Sequence, residues 1–119
     1  MILADTSVWV DHLRYGNQEM AGLLDRGQVA MHPFIVGELA VGNLKPRDQI
    51  LRALADLPYA EIATNEEVLR LIELHMLFGT GIGYIDAHLL TAAVLTPGTL
   101  IWTRDRQLLG AASKLGLAV

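Results

Sequence analysis

Four acidic residues stand where their charge is hard to explain as surface decoration. Asp5 follows the apolar run Ile2-Leu3-Ala4 and precedes two hydroxyls, Thr6 and Ser7. Asp105 lies beyond a second apolar run, Leu100-Ile101-Trp102, separated from it by Thr103 and Arg104. Asp86 alone breaks a stretch from Leu77 to Trp102 that is otherwise free of Asp, Glu, Lys and Arg. Glu38 sits in the apolar segment after Pro33. At about 100° per residue it projects between Phe34 and Ile35, on the side they share with Val41, and so is expected to face inward. A Glu on a core-facing stripe is rarely buried without a partner. Each acid also has a plainer reading: Asp5 and Asp105 as turn or cap acids, Asp86 as a helix cap favoured by the dipole, Glu38 on a helix rotated to present it to solvent.

Converging carboxylates call for a cation. Two unit charges at 4 Å repel by about 4 kcal/mol at an effective dielectric near 20. Four would raise one another's pKa or push the loops apart unless positive charge lies between them. The chain has no cysteine and its four histidines are scattered, at positions 12, 32, 75 and 88. An oxygen-only donor set selects a hard cation, Mg²⁺ or Mn²⁺. Such sites suit phosphodiester cleavage, where the ion activates water and stabilises the leaving oxygen.

The elements that must carry these acids alternate. Ile2–Ala4, Val29–Met31, Ala60–Ile62, Leu100–Trp102 and Leu117–Val119 read as short strands. Helices are expected over 8–15 with Ser7 as cap, 18–26, from Pro33 to about Val41, from Pro46 to about Asp56, 66–78, 86–95 and 106–115. Thr64 and Glu67 have the spacing of a capping box, and the run from Asp86 to Leu95 is apolar enough to be buried all round. Alternation with short connections predicts an α/β fold: a three-layer α/β/α sandwich around a short, mostly parallel sheet of four or five strands. In such sheets ligands bind beyond the carboxyl ends of the strands. If the strands before Asp5 and Asp105 are neighbours, both acids face one crevice.

The 119 residues suit one domain spanning 1–119. Hydrophobic residues make up 52% and charged residues 18%, so the core is large and the ionic surface thin. A net charge of −4 argues against holding nucleic acid by bulk electrostatics, and any such role must rest on local charge. Disulfides are excluded. No basic, small-residue-terminated leader precedes Ile2, and the uncharged stretch contains Gly79, Gly81, Gly83, Asp86 and Pro97, so neither a secretory leader nor a membrane span is expected. The cytoplasm is the default location.

The same residues carry a family resemblance. "LADTSVWVDHLR" resembles the opening motif of PIN-domain ribonucleases, with Asp5 as first acid and Ser7 as its hydroxyl. "IVGELAVG" is similar to the second motif, with Glu38. "GIGYIDAHLLTAA" looks like the third, with Asp86, and "IWTRDRQL" the fourth, with Thr103 and Asp105. Four motifs in order over nearly the whole chain are specific, and they most resemble the VapC-type toxins of toxin–antitoxin pairs. The resemblance implies a Mg²⁺- or Mn²⁺-dependent endoribonuclease that cleaves structured RNA, often tRNA or rRNA, and so inhibits translation. It also implies a homodimer and an antitoxin that inserts a segment near the acidic pocket. Asp5, Glu38, Asp86 and Asp105 would hold the metal, with Ser7 and Thr103 orienting carboxylates or waters. Some relatives carry a further acid after the fourth motif; this chain has Arg106 and Gln107 there, so a second metal would be weakly held.

Arg104 and Arg106 flank Asp105 and could meet RNA phosphate, or simply begin a solvated helix. Arg14, Lys45 and Arg47 could add weaker phosphate contacts but read first as surface, as does Asp11. His88, two residues from Asp86, points to another helix face and reads as structural. Trp9 and Trp102 read as core or dimer contacts. Gly79–Gly83 does not follow a strand and is no phosphate-binding fingerprint. Two further classes remain open: a Mg²⁺-binding phosphoacceptor switch, which would normally need an early acidic pair that this chain lacks, and a non-catalytic partner-binding domain, which leaves inward acids unexplained.

Overall fold

The computed structural model describes all 119 residues. Its centre is β1 (Ile2–Ala4), flanked by β2 (Val29–Ala30) and β3 (Leu100–Trp102) in the order β2-β1-β3, all parallel. The register pairs Leu3 with Ala30 on one side and with Ile101 on the other, and Ala4 with Trp102. The strands are short and apolar because they are covered on both faces: Leu3, Ala4, Val29, Ala30 and Ile101 are all buried.

Three strands form, fewer than the four or five expected. The two remaining segments contribute single bridges, Tyr59 to Met31 at one edge and Ala118 to Ile101 at the other. The first cannot lengthen because the Glu61 N–H leaves the sheet to donate to Thr96 Oγ1 at 2.8 Å. At the other edge the Leu117 N–H is spent on the Ala112 carbonyl.

Seven helices complete the sandwich: α1 (Thr6–Tyr15), α2 (Gln18–Asp25), α3 (Pro33–Val41), α4 (Arg47–Ala55), α5 (Asn65–Leu74), α6 (Tyr84–Leu95) and α7 (Arg106–Lys114). α1 packs on β1, α2 on β2, and α6 and α7 on β3, while α3 bridges α1 and α4 and α5 lies on α6. α6 is the central helix, with seven consecutive buried residues from Ala87 to Ala93, as its uniform apolarity predicts. The Thr64–Glu67 capping box forms, with both reciprocal bonds present. α5 ends at Leu74, four residues earlier than expected, because Met76 turns into the left-handed region at φ 51°. No helix is long and apolar enough to cross a membrane.

Candidate functional site

β1 and β3 are neighbours, so the chain leaves both strands on the same edge of the sheet and delivers Asp5 and Asp105 to one crevice. Asp5 is 6% exposed and its carboxylate is the hub of the crevice. Oδ1 accepts the Ser7 hydroxyl at 2.5 Å and the Val8 N–H at 3.3 Å, and Oδ2 accepts the Thr103 hydroxyl at 2.5 Å. Asp5 is therefore itself the N-cap of α1, where Ser7 was expected. Ser7, the second residue of α1, instead links two elements: it donates to Asp5 and accepts the Arg104 N–H at 3.0 Å. Thr103, also buried, donates to Asp5 and accepts the Asp105 N–H at 2.9 Å. Two hydroxyls thus cross-link the ends of β1 and β3, and each leaves its own oxygen to orient the Arg104–Asp105 turn.

That arrangement gives a direct stability test. Thr103→Val keeps the shape and removes a buried bond to a charged acceptor, for which a loss of about 1.5–3 kcal/mol is expected. Urea unfolding followed by circular dichroism measures it, and Arg104→Ala serves as the comparison. Arg104 makes its one ion pair with Asp11 at 2.8 Å, at a guanidinium 60% exposed, so its removal is expected to cost at most about 1 kcal/mol. Asp11 is thereby not a lone surface acid, and the Arg104 side chain is drawn along α1. Arg106 is exposed at the first position of α7 and has no ion-pair partner.

Glu38 reaches the crevice by another route than expected. The buried residues of α3 are Ile35 and Leu39, whereas Phe34 is 38% exposed and Glu38 is exposed. The helix is rotated so that Glu38 faces solvent at the crevice mouth, where Oε1 accepts the Thr6 hydroxyl at 2.7 Å. Thr6, the middle residue of the Asp-Thr-Ser run, has a role that the sequence signals only by its place as a hydroxyl beside Asp5. Asp86 is not a cap either. Gly83 occupies the N-cap of α6, and Asp86 lies in the first turn, half-buried. Its pKa is raised, first by burial and then by the negative fields of Asp105, Asp5 and Glu38, against a lowering hydrogen bond from the Gly83 backbone. Asp86 therefore senses all three other acids. Asp105 caps α7, its Oδ1 accepting the Leu108 N–H at 2.9 Å, and is otherwise open to solvent.

The donor set is oxygen-only and its charges are mutually unfavourable, which fits a hard divalent cation. Asp5 Oδ1 is filled by two donors, whereas Oδ2 holds one and retains an acceptor site. No three acidic or histidine side chains stand close enough here to hold an ion jointly. The crevice gathers the charges without closing them into a ligand shell.

A family profile described as "PIN domain" matches residues 2–114. The chain belongs to the PIN-domain family. Two relatives named "Ribonuclease VapC32", from two strains of Mycobacterium tuberculosis, are each 42% identical over 119 residues, which is 100% of this chain and 96% of the relative. Identity of that extent sets the chain among the VapC-type members of the PIN-domain family, and the four acids sit at the carboxyl edge of its sheet.

Proposed function

We propose that this PIN domain, acting as one unit over residues 1–119, is a metal-dependent endoribonuclease toxin. It cuts structured RNA, tRNA or rRNA, inhibits translation in the cytoplasm, and is neutralised by a cognate antitoxin. The observation that carries the reading is the convergence of Asp5, Glu38, Asp86 and Asp105 on one crevice, near enough that the other three each act on Asp86, at the strand ends where a parallel sheet binds ligands. The full-length likeness to proteins named as ribonucleases supports RNA as substrate.

Asp5, Glu38 and Asp86 would hold Mg²⁺ or Mn²⁺, with Asp105 completing the set. When bound, the ion supplies water activation and neutralises charge on the phosphate. The chain's own residues do the rest. Ser7 and Thr103 fix the Asp5 carboxylate so that Oδ2 keeps its remaining acceptor site toward the crevice. Thr6 holds Glu38 at the mouth by a single solvent-facing bond, which a swing of the side chain can release. Arg106, unpaired at the start of α7, is placed to meet an RNA phosphate. Arg104 gives that contact only if it leaves Asp11.

A groove of about 310 Å³ runs from Glu38 between α1, α3 and α4, with Leu13, Leu39 and Ile50 among its apolar lining and Arg14 and Lys45 at its edges. Its continuity with Glu38 supports it as the seat of the antitoxin segment. Large apolar residues left in solvent on α5 and its exit, Leu69, Leu74, Met76 and Phe78, support a homodimer.

The test is RNA cleavage by the purified chain after chelation. Cleavage is expected to stop in excess EDTA and to return on adding Mn²⁺ or Mg²⁺. Undiminished cleavage in EDTA would refute the metal-dependent reading. A stable phosphate adduct after incubation with a small phosphodonor would favour the phosphoacceptor class instead.

A further inference from the structure

Four buried polar side-chain atoms have no hydrogen-bond partner within the protein, and two of them belong to neighbouring histidines: Nε2 of His32 and Nδ1 of His88. Both rings are almost wholly buried, at 0% and 3% exposure. Buried polar groups of native proteins are nearly always satisfied by protein or by ordered water, so a pair of orphans side by side needs an explanation.

The partners each ring does have determine what its orphan nitrogen is. His32 caps α3: its Nδ1 accepts the Phe34 N–H at 3.0 Å. A neutral imidazole has one N–H, so the proton of His32 is on Nε2, and the orphan is a donor. His88 Nε2 lies 3.2 Å from Asn65 Oδ1, which also accepts the Tyr84 hydroxyl at 2.9 Å. An oxygen accepts from His88 only if Nε2 carries the proton, so the orphan Nδ1 is a bare lone pair. A charged imidazole would leave an ionised N–H buried without a partner, which is far costlier than a neutral nitrogen, so both rings are neutral here. One orphan is a donor and the other an acceptor.

The ring centroids are 6.5 Å apart at an interplanar angle of 61°. At that separation the rings cannot hydrogen-bond to each other directly, and nitrogens turned toward one another would lie within the span of one water, which accepts from one and donates to the other. Two polar partners are the minimum a buried water needs. A metal ion is a poorer occupant, since no third His, Asp or Glu joins the two rings.

We propose that a single internal water joins His32 Nε2–H to His88 Nδ1, and that this link positions Glu38 against Asp86 across the crevice. His32 begins the helix that carries Glu38, and His88 is on the helix that carries Asp86. Phe34 and Tyr84 pack edge-on against His88, each with its centroid 4.8 Å away, and seal the link from bulk solvent. The water site stands on geometry alone; the positioning role rests on the nuclease reading above.

Long-range ¹H–¹⁵N correlation on the full chain at pH 7.5 tests the water. Both rings are expected as Nε2–H tautomers, with the His32 Nε2–H slow to exchange and showing a cross-peak to a long-lived water. An Nδ1–H tautomer at either ring, or no water cross-peak, overturns it. His88→Phe keeps the packing and removes the acceptor, and the cross-peak should vanish. His32→Asn keeps the α3 cap through its side-chain oxygen and removes the Nε2–H, so it serves if the first variant does not fold. Positioning predicts that kcat on RNA falls about tenfold in either variant while KM is unchanged, the scale seen when groups behind a metal ligand are lost. Unchanged kcat in a folded variant overturns the positioning role. A wild-type chain that cleaves no RNA removes that role together with the nuclease reading, while the cross-peak alone decides the water.

Discussion

Replacing Asp86 by Asn is expected to cut RNA cleavage severely and, in the metal-free protein, to raise the midpoint of thermal unfolding by a few degrees. The two effects have one cause. Asp86 is half-buried and faces the fields of Asp105, Asp5 and Glu38, so its ionised form is unfavourable in the folded chain. An amide removes that charge at neutral pH, and its side-chain oxygen can still accept from the Gly83 backbone. Relief of functional strain of this kind commonly raises stability. Loss of a carboxylate from the metal-holding set should lower kcat/KM about a thousandfold, which corresponds to several kcal/mol of transition-state charge stabilisation. Asp5→Asn should lose activity to the same degree but with lower stability, because the Asp5 oxygens accept from Ser7, Val8 and Thr103 and an amide nitrogen can accept from none of them. Calorimetry of the two variants beside wild type, with a cleavage assay, checks the contrast. A lower midpoint for Asp86→Asn would contradict the account of its charge.

Acid is expected to remove stability through His32. Its side chain is fully buried and its pKa is lowered from 6.5 to about 4 by burial and by the neighbouring His88. Between those values the unfolded chain binds a proton that the folded chain refuses, so stability rises with pH across this window. The contribution is fully present above about pH 6.5 and is lost as pH falls toward 4. A depression of that size corresponds to about 3 kcal/mol. His88 adds in the same direction. Urea unfolding of wild type and His32→Asn at a series of pH values reads it out. The variant should be less stable at pH 7 through lost packing, but it should lose less on acidification. Parallel pH profiles would show that His32 is not the titrating group.

The central architecture was legible because independent signals agreed. Short apolar runs, each followed by an acid or a cap, alternated with helical segments, and four motifs stood in order. The buried α6 and the Thr64–Glu67 capping box followed from local composition and spacing alone. What the sequence could not reveal has physical causes. From Phe34 to Val41 only Gly37 and Glu38 are not apolar, so periodicity has almost no contrast from which to choose the buried face of α3. The inward reading of Glu38 failed for that reason, though the residue still reached the crevice through Thr6. Asp5, Thr6 and Ser7 are all competent caps. Which one caps is decided by Thr103 and Arg104, nearly a hundred residues away. The histidine pair depends on His32, Asn65, Tyr84 and His88, brought together from three segments with no shared local pattern.

The most direct test of the account is Mn²⁺ binding, measured by isothermal titration or by the spin resonance of free Mn²⁺. It would be applied to wild type and to Asp5→Asn, Glu38→Gln, Asp86→Asn and Asp105→Asn. The account predicts saturable binding by wild type and weaker binding by each variant, since all four carboxylates serve one centre. Wild type that binds no Mn²⁺, or four variants that bind it as well as wild type, would contradict the claim that these acids form one metal-dependent site.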